Sequence, residues 1–173
     1  TESALNSTLI RKVVITSADQ STQEYVQERY QSEERVIFVE RPVDLARHNV
    51  SLLGTIQHVL AAPACAGEVI EAVMILPIEF PFLRAEDIED AINTLVIFEA
   101  DSVISVRIER SSFFQHHGGG MVPILDQDKF TRLEREALYK HVGGMTLTRV
   151  SNLEKEGKVL AGKVGHVVVD QAT

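Results

Sequence analysis

The apolar positions between residues 73 and 107 change their period twice, and this change predicts three successive elements. Residues 73–76 are a short apolar run typical of a buried strand. From residue 85 the apolar side chains recur at helical spacing, and Glu86 and Asp87 place negative charge where it suits a helix N-terminus. Residues 103–107 are again rich in β-branched side chains. The predicted helix buries one face, made of Ile88, Ala91, Ile92, Leu95 and Val96.

Further short apolar runs predict more strands, at residues 12–16, 36–39 and 166–169. We expect the runs at 12–16, 73–76 and 103–107 to lie side by side in one largely parallel sheet with helices on both faces. Such a sheet binds its ligand at the carboxyl ends of its strands. The loop from Pro77 to Arg84, which follows the second of these runs, is therefore the expected site.

Three consecutive glycines at positions 118–120 predict the tip of a hairpin. We expect this hairpin to belong to an arm at about residues 110–140, outside the main sheet. Its apolar side chains favour a two-fold dimer that uses the arm and the stretch around Tyr139. These side chains are Phe113, Phe114, Met121, Val122, Ile124 and Leu125. The neighbouring His116 and His117 have no carboxylate or cysteine at ligand spacing, so no metal site is predicted there.

Composition narrows the class of protein. A chain of 173 residues with 45% hydrophobic content predicts a single domain, residues 1–173, and no apolar run is long enough to span a membrane. The formal net charge of −8 argues against a surface for nucleic acid polymers, although a local pocket for a small anion remains compatible with it. A single cysteine, Cys65, leaves no disulfide framework, so a cytoplasmic location is expected.

Three stretches carry a resemblance to a known family. The first is the loop that ends Pro-Phe-Leu-Arg at residues 81–84, followed by a helix that begins Ala-Glu-Asp-Ile. The second is Arg-Pro-x-x-Leu-Ala at residues 41–46, and the third runs from Tyr139 through Gly143 to Thr148. With these motifs the chain resembles the acylneuraminate, or CMP-sugar-acid, cytidylyltransferase family over nearly its whole length. The occurrence of all three motifs in the same order along the chain is more specific than any one of them.

The resemblance implies a fold and a reaction. The fold would be α/β and three-layer Rossmann-like, of the nucleotide-diphosphosugar transferase type, with a mainly parallel sheet and a dimerisation arm. The reaction would join CTP to a 2-keto sugar acid of the sialic or legionaminic type, giving a CMP-sugar and pyrophosphate. Mg²⁺ would be the cofactor, a homodimer the assembly, and CTP and the sugar acid the ligands.

The resemblance also implies roles for particular residues. It assigns nucleotide binding to Arg84 and sugar-acid binding to Ser51, Arg132, Tyr139, Lys140 and Gly143. Each charged or capping residue has a structural alternative. In the structural alternative, Arg84 pairs with Glu79 or Asp87, and Ser51 caps a helix. Arg132 and Lys140 are then solvated charges. No residue is assigned as the catalytic acid or base.

The chain departs from the family pattern at several positions. Pro77, Val142 and Thr146 stand where the family has a glutamine, an asparagine and a tyrosine that contact ligand. The family's basic glycine-rich phosphate loop and its metal-binding Asp-Ile-Asp correspond to no residues within 1–173. Residues 1–173 alone are therefore expected to release no pyrophosphate. Two alternatives stay open: a catalytically silent homologue or fragment that acts as a binding or assembly module, and an active enzyme with further residues at its ends.

Overall fold

The computed structural model describes residues 1–47, 49–124 and 138–169. Its helices are α1 (Glu2–Asn6), α2 (Gln20–Arg29), α3 (Leu52–Leu60), α4 (Ala85–Ile97) and α5 (Val150–Glu156). Its strands are β1 (Val13–Ser17), β2 (Val36–Glu40), β3 (Ala72–Ile75), β4 (Ser102–Glu109), β5 (Phe114–His116), β6 (Met121–Pro123), β7 (Leu138–Arg149) and β8 (Val164–Val168). The strands and helices predicted from periodicity are present, with boundaries displaced by a few residues.

The described strands form one larger sheet and two strand pairs. The larger sheet has the order β3-β7-β4-β8, while β1 pairs with β2 and β5 pairs with β6. Strands β3 and β4 are both antiparallel to β7, and β8 is parallel to β4. Three of the four strands in this sheet therefore run in the same direction. The protein has a mixed α/β, Rossmann-like fold with a central sheet, as predicted.

The expected order of neighbouring strands is wrong in two respects. Strand β7 lies between β3 and β4, which were expected to be adjacent, and β1 is hydrogen-bonded only to β2 among the described strands. The insertion of β7 has a physical reason, because Met145 and Leu147 alternate along it and are buried against the core. As an antiparallel strand, β7 also hydrogen-bonds to the backbone edges of β3 and β4 that face it.

Helix α4 holds the main core together. Ile88, Ala91 and Leu95 are buried on one of its faces and pack in a single cluster with Val103 and Met145 of the sheet. The predicted apolar face is therefore confirmed at these positions, whereas Val96 is exposed. The helix starts directly after the loop that follows β3, so the core fixes where this loop ends. Across residues 1–47, 49–124 and 138–169, no helix is both long and apolar enough to cross a membrane.

The predicted hairpin is confirmed in the arm. Strands β5 and β6 are antiparallel, with His116 opposite Met121 and the glycine run at the tip. Its described apolar side chains are exposed. Leu125 and Arg132 lie outside the described residues. The dimer itself stays a prediction.

Candidate functional site

The loop that follows β3 is held against β7 by an aromatic side chain. The ring of Phe80 lies over Gly143 and Gly144, so that a Cβ on Gly144 would be 3.1 Å from Phe80 Cδ1. The amide of Phe80 donates to the Pro77 carbonyl oxygen at 3.3 Å, which closes a turn within the loop. Leu83, near the end of the loop, is buried in the core. The predicted loop and the predicted Gly143 are therefore brought together at the carboxyl end of β3.

Arg84 lies at the N-terminus of α4 and is bound by an acidic side chain of the same helix. Its Nε donates to Asp87 Oδ2 at 3.2 Å and its Nη2 donates to Asp87 Oδ1 at 3.0 Å. Asp87 is only 4% exposed, and a second carboxylate, Glu86, lies 3.7 Å from the guanidinium. The structural alternative for Arg84, pairing with Asp87, is therefore observed. The side chain of Arg84 is nevertheless 60% exposed, so a contact with nucleotide stays a prediction.

Lys140 and Tyr139 lie on β7 next to the carboxyl end of β4. Lys140 is directly opposite Arg107 of β4 in the strand pairing. Two cations opposite each other on one face of a sheet repel, and an anion bound between them relieves this repulsion. The ring of Tyr139 packs on His166 of β8 with 4.7 Å between centroids, and Tyr139 is about half exposed. The residues of β7 assigned to the sugar acid thus share one end of the sheet with the loop after β3.

Glu109 provides a carboxylate at the same end of β4. The hydroxyl and amide of Ser111 donate hydrogen bonds to it, and together with the weaker attraction of Lys140 they hold the pKa of Glu109 below its ordinary value of 4.5. The Ser111 amide is 2.9 Å from Glu109 Oε1. The hydrogen bonds from Ser111 favour the ionised carboxylate, so Glu109 offsets part of the positive charge of Lys140.

Ser51 is the N-cap of α3. Its hydroxyl accepts a hydrogen bond from the Leu53 amide at 3.3 Å, and the side chain is exposed. This is the capping role that was the structural alternative for Ser51. Its contact with sugar acid stays a prediction. Arg132, the remaining residue assigned to the sugar acid, lies outside the described residues.

Two further polar side chains, at the carboxyl ends of the β1–β2 pair, were not singled out from the sequence. Thr16 Oγ1 and Arg41 Nε are buried and have no hydrogen-bond partner among the described residues. Thr16 is opposite Val39, and Arg41 continues the same strand pair, its amide donating to the Ser17 carbonyl oxygen at 2.9 Å. Thr16 and Arg41 therefore lie on one face, at the carboxyl ends of two parallel strands. The Arg-Pro motif marked this position, but a sequence pattern does not show that a buried donor lacks a partner.

The described residues do not supply a metal site. No group of three or more histidine, cysteine, aspartate or glutamate side chains within residues 1–47, 49–124 and 138–169 is arranged to hold a metal ion. These residues therefore do not fit the Mg²⁺ that the resemblance implies, since Mg²⁺ in proteins is bound mainly through carboxylate and phosphate oxygens.

Comparison with known proteins supports the fold. No protein-family model and no curated protein sequence matches the chain. Solved structures do match, 59 chains in all. One is the 4-diphosphocytidyl-2C-methyl-D-erythritol synthase of Anaerococcus prevotii, with a TM-score of 0.62 and 9% identity over 99% of this chain and 75% of that one. Another is HddC of Yersinia pseudotuberculosis, with a TM-score of 0.51 and 11% identity over 96% of this chain and 73% of that one. These similarities establish a nucleotidyltransferase-type fold.

Proposed function

We propose that this protein is a cytidylyltransferase that activates a 2-keto sugar acid, of the sialic or legionaminic type, with CTP. The fold supports the general class, because the chain matches a solved diphosphocytidyl synthase over 99% of its length. The choice of sugar acid rests on the motifs at residues 41–46, 81–84 and 139–148. The observation that carries the proposal is the position of Lys140, opposite Arg107 and on the strand that the Phe80 loop packs against.

In the proposed reaction the anomeric hydroxyl of the sugar acid attacks the α-phosphorus of CTP. The new bond joins the sugar oxygen to this phosphorus, the bond from phosphorus to the bridging oxygen breaks, and pyrophosphate leaves while the hydroxyl proton is released. Catalysis of this kind depends chiefly on positioning and charge stabilisation. Mg²⁺ would neutralise charge on the triphosphate, but the described residues provide no ligand set for it, so no step is assigned to the metal.

The basic residues of the site have separate roles in this proposal. Lys140 and Arg107 bind the sugar carboxylate between them, and Arg84 binds the nucleotide phosphates. Tyr139, Gly143 and Ser51 line the sugar site, and Arg132 contributes from the arm of a homodimer. Arg41 and Thr16 contribute buried polar groups to the nucleotide side of the site, at the carboxyl ends of β1 and β2.

Binding measurements test the proposal first. Calorimetric titration of the protein with sialic acid is expected to show binding that Lys140→Ala weakens about tenfold, the effect of losing one charge-assisted hydrogen bond. The matched control is Lys155→Ala, which removes an exposed lysine that pairs with Glu156 on α5. Titration with CTP and ATP is expected to favour CTP. No binding of sialic acid, or equal losses in the two lysine variants, would contradict the assignment of Lys140.

Turnover separates an active enzyme from a silent homologue. If the natural gene product carries a phosphate loop and the paired aspartates, we expect it to release pyrophosphate from CTP and a sugar acid in Mg²⁺ buffer. Residues 1–173 alone are expected to release none. Arg84→Ala is expected to lower turnover more than His116→Ala, and equal effects would remove Arg84 from the site.

The second candidate function is a catalytically silent binding module. The observation that favours it is the bidentate contact of Arg84 with Asp87, which leaves fewer guanidinium donors for phosphate. A full-length protein that has both elements but binds no nucleotide would support this alternative. Pro77→Gln, which introduces the glutamine of the family pattern, would then be the first variant to test for nucleotide binding.

A further inference from the structure

The backbone of β2 is paired on one side only among the described strands. The Val13 amide donates to the Arg35 carbonyl oxygen at 2.8 Å, and the Arg41 amide donates to the Ser17 carbonyl oxygen at 2.9 Å. Successive residues of a strand direct their backbone groups to opposite sides. The odd-numbered residues of β2 therefore face β1, and the even-numbered residues face outwards.

The outward groups form a short row that alternates between acceptor and donor. The Val36 amide already donates to the Glu33 carbonyl oxygen at 3.0 Å, and His58 Nε2 lies 2.8 Å from the Glu40 carbonyl oxygen. The remaining groups are the Val36 carbonyl, the amide and carbonyl of Phe38, and the Glu40 amide. No described residue hydrogen-bonds to these four groups. An exposed row of this kind is a template for the addition of another strand.

A groove runs along this edge. It has a volume of about 530 Å³ and lies between α2 and β2, with no residue of β1 in its lining. Val26, Tyr30 and Phe38 contribute apolar surface to its lining, and Glu33 and Glu34 contribute carboxylates. A strand added to β2 would place alternate side chains in this groove.

The charge around the edge is negative. Glu34 and Glu40 are exposed, and no lysine, arginine or histidine lines the groove. Arg35 donates from its guanidinium to the carbonyl oxygens of Ile10 and Leu5 at 3.4 and 2.7 Å, and its Nε pairs with Glu33 Oε1 at 3.4 Å. The charge of Glu33 is therefore already compensated, and Glu34 and Glu40 carry the exposed negative charge of this edge. A second copy of this chain, with a net charge of −8, would bring two acidic edges together. A cationic partner is complementary in charge.

We propose that the β2 edge binds an extended segment of a partner polypeptide that carries lysine or arginine side chains. The segment adds as a strand through hydrogen bonds to Val36, Phe38 and Glu40. Its cationic side chains lie beside Glu34 and Glu40, and an apolar side chain enters the groove. This surface is separate from the Phe80 loop and does not depend on the proposed activity.

The probe is a blocked peptide of alternating lysine and valine, and its control is the matching peptide of alternating glutamate and valine. NMR of the labelled protein is expected to show that the lysine peptide shifts the Phe38 and Glu40 amides and slows their hydrogen exchange. Glu34→Lys is expected to weaken binding by about fivefold or more, because it replaces an attractive charge pair with a repulsive one. Glu154→Lys, the same change on α5, is expected to have no effect. Glu40→Pro removes one outward donor without touching the bonds to β1, and is expected to weaken binding as well.

Several results would overturn the proposal. One is the absence of shifts along β2 at millimolar lysine peptide, and another is equal binding of the glutamate peptide. A third is a Glu34→Lys variant that binds as well as Glu154→Lys. A free protein of dimeric mass in which the Phe38 and Glu40 amides are already protected would show that a second copy occupies the edge.

Discussion

Phe80 packs on the backbone of Gly144, and this contact joins the loop after β3 to the middle of β7. A Cβ on Gly144 would lie 3.1 Å from Phe80 Cδ1 and 3.3 Å from Phe80 Cγ. The loop is braced by prolines at 77 and 81, so the ring has little freedom to withdraw. The position of the loop over the candidate site therefore depends on a residue without a side chain at 144.

The first prediction tests this contact. Gly144→Ala is expected to lower the free energy of unfolding by roughly 1–3 kcal/mol, because the new methyl group crowds the Phe80 ring. Urea unfolding followed by circular dichroism measures the change. In the double variant with Phe80→Ala the crowding is absent, so the Gly144→Ala penalty is expected to shrink. A penalty of the same size with and without Phe80 would show that the contact is not the cause.

The second prediction concerns the contact between Gly162, which precedes β8, and Asp101, which precedes β4. Gly162 has φ of +68°, and a Cβ there would lie 2.3 Å from Asp101 Oδ2. Moving Asp101 away would break the hydrogen bond that its Oδ2 accepts from the Lys163 amide at 2.7 Å. Gly162→Ala is therefore expected to destabilise the protein in thermal unfolding by more than the roughly 1–2 kcal/mol cost of left-handed backbone.

Gly157 supplies the matched control for Gly162. It has φ of +60°, and nothing lies within 4 Å of a Cβ built there. Gly157→Ala should therefore lower stability by the backbone cost alone. If Gly162→Ala and Gly157→Ala lower the melting temperature equally, the clash with Asp101 has no energetic weight.

The third prediction concerns acid stability. Glu89 of α4 accepts hydrogen bonds from the Thr8 amide at 2.8 Å and from the Thr8 and Ser7 hydroxyls at 3.1 Å each. These bonds lower the pKa of Glu89 from its ordinary value of 4.5, and the bond from the Thr8 amide has the largest effect. A carboxyl group whose pKa is lowered by folding stabilises the native state above its unfolded pKa, and this contribution is lost as the pH falls through the folded pKa.

Urea midpoints measured between about pH 7 and about pH 3 check this expectation. The wild type is expected to exceed Glu89→Gln near neutral pH, and the difference is expected to shrink below the ordinary pKa of 4.5. Glu154→Gln, a change at an exposed carboxylate on α5, serves as the control. A difference between wild type and Glu89→Gln that does not vary with pH would refute the linkage.

The fourth prediction concerns assembly through the arm. Exposed apolar side chains on β5 and β6 favour burial against a second copy, since an isolated two-stranded hairpin is only marginally stable in water. We expect a dimer in light scattering at micromolar concentration, and Val122→Glu is expected to convert it to a monomer. Val69→Glu places the same charge at a residue that is 83% exposed outside the arm and is expected to leave the dimer intact. A wild-type monomer would contradict the predicted role of the arm.

Local pattern was enough to predict the elements that position the site. The 3.6-residue period from residue 85 and the acidic first turn indicated α4, and Ile88 and Leu95 are buried as that period requires. The three glycines at positions 118–120 indicated the turn between β5 and β6. These predictions succeeded because period and turn chemistry are properties of neighbouring residues.

Tertiary structure alone decided which distant residues meet. The place of β7 between β3 and β4 depends on pairing with strands that lie far from it along the chain, and no local period encodes such a partner. The same applies to Phe80 over Gly144 and to Lys140 opposite Arg107. Sequence left two roles open for Arg84, and its local contact with Asp87, three residues along α4, was one of them; the burial of Asp87 was decided by the packing of α4 against the core.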